Sequence, residues 1–139
     1  MRPHCQCCAS DRVVELGLRT GFRRQSGLVC ATVDEGNRNG WFWYWMTDRS
    51  RGSGVMSRAA ATVAEWALSE RGLERLELGH RVNNPASGVV ARRAGFVEEG
   101  APHEKFLVDG ERLDVDTYGR LKTDPRPAFH ALPLALAER

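Results

Sequence analysis

The sequence predicts a single mixed α/β domain, and three observations carry that expectation. Residues 41–47, WFWYWMT, open with six apolar side chains in a row, a run of strand length. Residues 55–72, VMSRAAATVAEWALSERG, place Met56, Ala59, Ala60, Val63, Trp66 and Ala67 at the i, i+3, i+4, i+7 spacing of one helix face. Residues 73–82, LERLELGHRV, then return to alternation, with Leu76, Leu78, His80 and Val82 on one side. A chain of 139 residues is long enough for one domain of roughly 100–150 residues with its own core.

The elements follow in order. Residues 1–11 read as a disordered stub. RVVELGLR (12–19) has the β-branched content of a strand, LVCATV (28–33) reads as a second short strand, and DEGNRNG (34–40) is a turn by composition. In the aromatic run, Trp41, Trp43 and Trp45 face one way and Phe42, Tyr44 and Met46 the other. A strand apolar on both faces is expected at the centre of a sheet, covered on both sides. Gly72 is placed to stop the long helix. NPASGVVARRAG (84–95) is a short helix. Asn84 stands at the cap, Pro85 at the first turn and Gly95 at the end. FVEEG begins another strand, and Asp109-Gly110 suits a type I′ hairpin turn. The domain is expected to run over residues 12–124. The tail at 125–139 carries three of the six prolines and is expected to drape or fray.

Composition narrows the function classes. A net charge of +2 gives little reason to expect nucleic acid or an anionic membrane as partner, and so disfavours the tryptophans as a base-stacking platform. No apolar run approaches the roughly 18 residues of a membrane span, and MRPHCQCCASDR has no signal-peptide core. The expected compartment is the cytoplasm. Cys5, Cys7 and Cys8 crowd beside His4, but no second ligand pair with zinc spacing follows, so reduced thiols and no metal are expected.

RSRGSGV (49–55) is the stretch with chemistry in it. Glycine lets peptide N–H groups approach a ligand, and a helix start adds unpaired N–H groups and a positive dipole end. Together these make a phosphate cradle. A Walker A loop needs Lys and Ser/Thr after its last glycine, where Val55 and Met56 stand. A dinucleotide fingerprint needs a third small residue and an acidic ribose partner, the latter without a clear place here. Arg49, Gly52 and Gly54 do satisfy R-x-x-G-x-G.

In its surroundings, this loop gives the chain a resemblance to the GNAT acetyltransferase superfamily, in particular to RimJ/RimL-like ribosomal-protein N-terminal acetyltransferases. WYWMTDRSRGSGVMSRA, GLERLELGHRVNNPAS, ARRAGFVEEG and the DG…D…YGRL ending carry it, over about residues 41–124. The resemblance implies a mostly antiparallel sheet with a splayed central strand pair flanked by helices. It also implies that acetyl-CoA is the donor, with no metal. Its pantetheine arm would lie between the strand ending at Trp45, Met46 and Thr47 and the strand around Glu77–His80. Its pyrophosphate would rest on Arg51, Gly52, Ser53, Gly54 and Val55, with Arg49 beside them. Asn84 matches a residue that contacts the cofactor arm, against a plain N-cap reading. Ser87 matches one proposed to protonate the departing thiolate, against a solvent-facing serine. A backbone N–H near Met46 would hold the oxyanion. The strand position where close relatives carry the general base aligns with Phe106, and Glu104, two residues earlier and expected on the same strand face, is the substitute.

The implied acceptor is a primary amine, either a protein N-terminal α-amine or a small molecule. The resemblance also implies a strand, two helices and another strand before the segment at 12–19, which the stub does not match. That departure makes the chain look N-terminally truncated and predicts a bare apolar patch and self-association as a homo-oligomer. It also leaves a catalytically weak acetyl-CoA-binding or interaction module as the alternative function.

Overall fold

In the computed structural model, residues 11–20, 24–47, 52, 54–133 and 137–138 are described. Strands β1 (Asp11–Thr20), β2 (Arg24–Asp34) and β3 (Asn39–Met46) run as an antiparallel meander. Helix α1 (Val55–Ser69) then crosses over to β4 (Arg75–Arg81), and α2 (Pro85–Arg93) leads to β5 (Val97–Gly100). The hairpin β6 (Phe106–Val108) and β7 (Glu111–Leu113) stands apart as its own small sheet. Strands β8 (Val115–Leu121) and β9 (Ala137–Glu138) complete a seven-stranded main sheet of order β5-β8-β4-β3-β2-β1-β9. Every pairing in it is antiparallel except β3 with β4.

The local punctuation reads as expected. Gly95 takes φ +88°, the Phe96 N–H reaches the Ala91 carbonyl at 3.0 Å and the Gly95 N–H the Arg92 carbonyl at 3.1 Å. Those two bonds are a Schellman closure of α2, which needs a left-handed residue at that point. Asp109 and Gly110 adopt φ +50° and +82°, the conformation a type I′ hairpin requires. Gly72 is also left-handed, but α1 has already ended at Ser69.

The core lies on one face of the sheet. Both helices pack there, over Val29, Ala31, Val33, Phe42, Leu76, Leu78 and Tyr118. This corrects the expectation that β3 is covered on both sides. Phe42 is fully buried, whereas Trp43 and Trp45 are 37% and 48% exposed on the opposite face. Helices α1 and α2 pack on each other, so they share a face and cannot cover the tryptophans. Trp41 is shielded further, with the Lys105 ammonium 5.4 Å from its ring centre. Val82 is also corrected: β4 stops at Arg81, and Val82 is exposed rather than in line with Leu76, Leu78 and His80.

The proline-bearing tail drapes over α1. The Arg58 guanidinium donates to the His130 carbonyl at 3.0 Å, and the Leu132 N–H to Thr62 Oγ1 at 3.1 Å. Phe129 and Leu132 add to the core. A buried cation ties these layers together. Arg120, only 2% exposed, donates to Glu65 Oε2 on α1 at 2.8 Å and to the Ala94 carbonyl closing α2 at 3.1 Å. Removing one member of such a pair strands a buried charge, while replacing both with apolar residues largely avoids that cost. Glu65→Ala should therefore lower stability in urea unfolding by about 2–3 kcal/mol, since Glu65 is partly solvated. Glu65→Leu combined with Arg120→Met should recover most of that loss.

Candidate functional site

The site begins where β3 and β4 part. Their parallel ladder covers only Asn39↔Arg75, Gly40↔Leu76 and Trp41↔Glu77. Beyond it β3 runs on to Met46, paired on its other side with β2, and β4 runs on to Arg81, paired on its other side with β8. From Phe42 and from Leu78 onward the two strands no longer pair with each other, and among the described residues no other strand pairs with these edges. Buried backbone polar groups require partners, so this split is a place for a ligand with its own amide-like groups.

At the open end of β3 come Trp45, Met46 and Thr47. Trp45 is half exposed on the helix-free face, while Met46 packs toward the core. Past them Gly52 takes φ +84° and Gly54 φ +74°, and a Cβ at either would meet nothing within 4 Å. Both glycines are thus required by backbone conformation and border open space. Gly54 is the N-cap of α1, with no side-chain cap bond, and no acidic residue lies in the first turn that starts at Val55. The first N–H groups of α1 are left for another acceptor. Arg49, Arg51 and Ser53 lie outside the described residues, as do Cys5, Cys7, Cys8 and most of the stub.

The start of α2 faces the split from the helix side. Asn84 is exposed and stands at the N-cap of α2, but its side chain makes no cap bond. The turn is held by backbone instead, with the Ser87 N–H donating to the Asn84 carbonyl at 3.2 Å. Ser87 is partly buried and meets Tyr44 of β3, a residue that sequence reasoning assigned only to packing. The Tyr44 hydroxyl donates to the Ser87 carbonyl at 2.6 Å, and Ser87 Oγ donates to the Tyr44 hydroxyl at 3.2 Å. Burial is the main cause that pushes the Tyr44 phenol up to about 12, and the Ser87 hydrogen bond pulls the other way. Only the alternation of β3, which puts Tyr44 on the face of Phe42, pointed toward this meeting.

Beneath Gly88 lies a second polar group. His80 Nε2 and the Arg92 guanidinium each approach the Tyr118 hydroxyl at 3.2 Å, and Asp116 Oδ2 stands 3.8 Å from His80 Nε2. A Cβ at position 88 would fall 3.0 Å from both His80 Nε2 and the Tyr118 hydroxyl, so this cluster sets how closely α2 sits on β4. His80 is the buried strand residue that the alternation predicts.

Glu104 stands elsewhere. It precedes β6 in a turn, with φ +49° and its N–H donating to Asp114 Oδ1 at 2.8 Å. That bond is the main cause holding the Asp114 carboxyl below the usual range. The premise that Glu104 shares a strand face with Phe106 is therefore corrected, because the strand starts only at Phe106. Among the described residues no hydrogen bond or ion pair joins the Glu104 side chain to Ser87 or Tyr44, and no cluster of His, Cys, Asp and Glu could hold a metal.

Comparison with known proteins places this geometry. The profile of the family described as "Acetyltransferase (GNAT) domain" matches residues 12–97. YdaF of Bacillus subtilis (strain 168), named as a ribosomal N-acetyltransferase, is 30% identical over 103 residues, covering 70% of this chain and 56% of YdaF. The ribosomal-protein-serine acetyltransferase of Escherichia coli (strain K12) is 29% identical over 85 residues, covering 61% and 48%. The chain thus spans about half the length of these relatives. The solved structure of RimL, a ribosomal L7/L12 α-N-protein acetyltransferase in complex with coenzyme A, superposes with a TM-score of 0.64 at 29% identity, covering 70% of this chain and 56% of RimL. A chimera of the Vibrio cholerae spermidine N-acetyltransferase SpeG and hSSAT, at 21% identity, shares the fold with a TM-score of 0.73, covering 80% and 68%. With its split sheet, its glycine turn and a profile match over residues 12–97, the chain belongs to the GNAT acetyltransferase family.

Proposed function

We propose that this chain binds acetyl-CoA in the split between β3 and β4 and transfers the acetyl group to a primary amine, either a protein N-terminal α-amine or a small-molecule amine. The observation that carries the reading is the end of the β3–β4 ladder at Trp41↔Glu77, beside two left-handed glycines and an uncapped helix start. The open edges around Met46 and Leu78 would pair with the pantetheine amides. The free N–H groups from Gly54 onward would take the pyrophosphate, with Arg49, Arg51 and Ser53 in the same loop. Asn84, its side chain not spent on a cap, would bind the arm, and Ser87 would hold a proton for the leaving group.

Acetyl-CoA bound there supplies an activated acetyl thioester that an amine can attack. The residues around it position that thioester, shield it and supply hydrogen bonds. The names of the relatives support the acceptor class: ribosomal-protein N-acetyltransferases among the curated sequences, and a spermidine acetyltransferase among the folds.

Acceptor basicity sharpens the reading. At pH 7, deprotonating an α-amine of pKa 7.7–8.0 costs about 1 kcal/mol, and a lysine near 10.4 costs roughly 4.6 kcal/mol. The resemblance puts Phe106 at the base position, and Glu104 sits in the turn before β6, so on this reading the site is ill equipped to remove the lysine proton. A peptide with both a free N-terminus and an internal lysine should be acetylated first at the N-terminus, by mass spectrometry. Preferential lysine acetylation would point to a base elsewhere in the molecule.

The same turn favours a second reading, a binding module with little turnover. Saturable acetyl-CoA binding with no thiol release for any amine would select it. Cofactor binding itself is tested by thermal shift. Acetyl-CoA should raise the Tm of the wild type and of Gly72→Ala, which carries the same backbone penalty away from the loop. Gly52→Val and Gly54→Val should lose the shift, since a side chain there blocks approach to the peptide groups.

A further inference from the structure

We propose that Tyr44 is the positioning residue for Ser87, setting where the Ser87 hydroxyl proton points and refilling it from behind. The inference rests on the acetyl-transfer reading above, and its own ground is the double contact between the two residues. The Tyr44 hydroxyl has one proton, and the 2.6 Å bond to the Ser87 carbonyl uses it. Its oxygen then accepts the Ser87 Oγ–H at 3.2 Å. In this arrangement the Ser87 proton points at Tyr44, and only Oγ lone pairs are left for the cleft. A serine held that way cannot give its proton to a leaving sulfur.

A short swing of the Tyr44 O–H reverses the polarity. Both its acceptors, the carbonyl and Oγ, belong to Ser87, so the proton can move from one to the other without displacing either residue. With the Tyr44 O–H on Ser87 Oγ, the Ser87 proton is free to point into the split. As the C–S bond of the attacked thioester breaks and its electron pair leaves on sulfur, the Ser87 proton passes to sulfur. The Tyr44 proton passes to Ser87 Oγ, and the proton released by the amine nitrogen reaches Tyr44 through solvent.

The surroundings fit that role. The Tyr44 ring is fixed edge-on to Phe42, with centres 6.3 Å apart. Burial pushes the Tyr44 phenol up to about 12, so its hydroxyl stays protonated and able to donate a hydrogen bond throughout the ordinary range, and its proton must be replaced as it moves to Ser87. Hydrogen bonds in such a chain polarise one another, which strengthens the final donation.

The experiment uses Tyr44→Phe, Ser87→Ala and the double variant in the full chain. Tyr44→Phe keeps the ring and loses only the hydroxyl. Acetyl-CoA Kd should stay within about three-fold while kcat falls roughly ten-fold, and the double variant should be no slower than Ser87→Ala alone. A readout independent of turnover is the ionisation of the bound CoA thiol, followed by thiolate absorbance. Its midpoint should rise in Tyr44→Phe and in Ser87→Ala, and rise no further in the double variant. Wild-type thiol ionisation and kcat in Tyr44→Phe, or effects that simply multiply in the double variant, would overturn the role of Tyr44 while leaving acetyl-CoA binding intact. Failure of the wild type to bind CoA at all would overturn both readings.

Discussion

Between β3 and β4 the parallel ladder lasts three residue pairs and then stops. Each strand is anchored on its far side, β3 to β2 over eight pairs and β4 to β8 over seven, so neither can close the gap by moving. Helix α1 packs on β2, β3 and β4, and the start of α2 meets β3 where Ser87 touches Tyr44. Tyr44 on β3, Gly54 at the start of α1, and Asn84 and Ser87 at the start of α2 come from three separate places in the chain, and Tyr44 and Ser87 meet across 43 residues of sequence. Had the ladder continued to Met46, the backbone would have been satisfied and the space occupied.

The layer beneath keeps that divergence rigid. Phe42 sits at the fork and packs on Phe96 with ring centres 5.5 Å apart, so the base of the split is filled by apolar contact. Arg120 joins α1 to the end of α2 through Glu65 and Ala94. On β4, Arg75 donates to Glu77 and to Glu99 of β5, and the hydrogen bond from Arg75 holds Glu99 below the ordinary carboxylate range. The helices and the far strands thus form one body, and the split is its opening.

Much of this was legible in the sequence because it is written locally. The helical repeat from Met56 to Ala67, the Asn84-Pro85 entry, the Gly95 exit and the Asp109-Gly110 turn each depend on a few adjacent residues, and each stands where the residues put it. What was not legible depends on distant partners. Alternation puts Trp43 and Trp45 on one face, but only the landing of both helices on the other face decides that the tryptophans are exposed. Glu104 was counted along an extended chain, whereas its left-handed turn is fixed by Asp114, ten residues on. The Tyr44–Ser87 contact spans 43 residues, and no local signal marks it.

The central claim is that the open edges of β3 and β4 are a binding surface for acetyl-CoA. Amide hydrogen exchange with and without saturating acetyl-CoA tests it directly. Exchange should slow at alternate amides across residues 42–47 and 78–81 and at the first amides of α1, while the β4–β8 ladder stays unchanged. Protection that appears elsewhere, with the split and the α1 start exchanging as before, would contradict it.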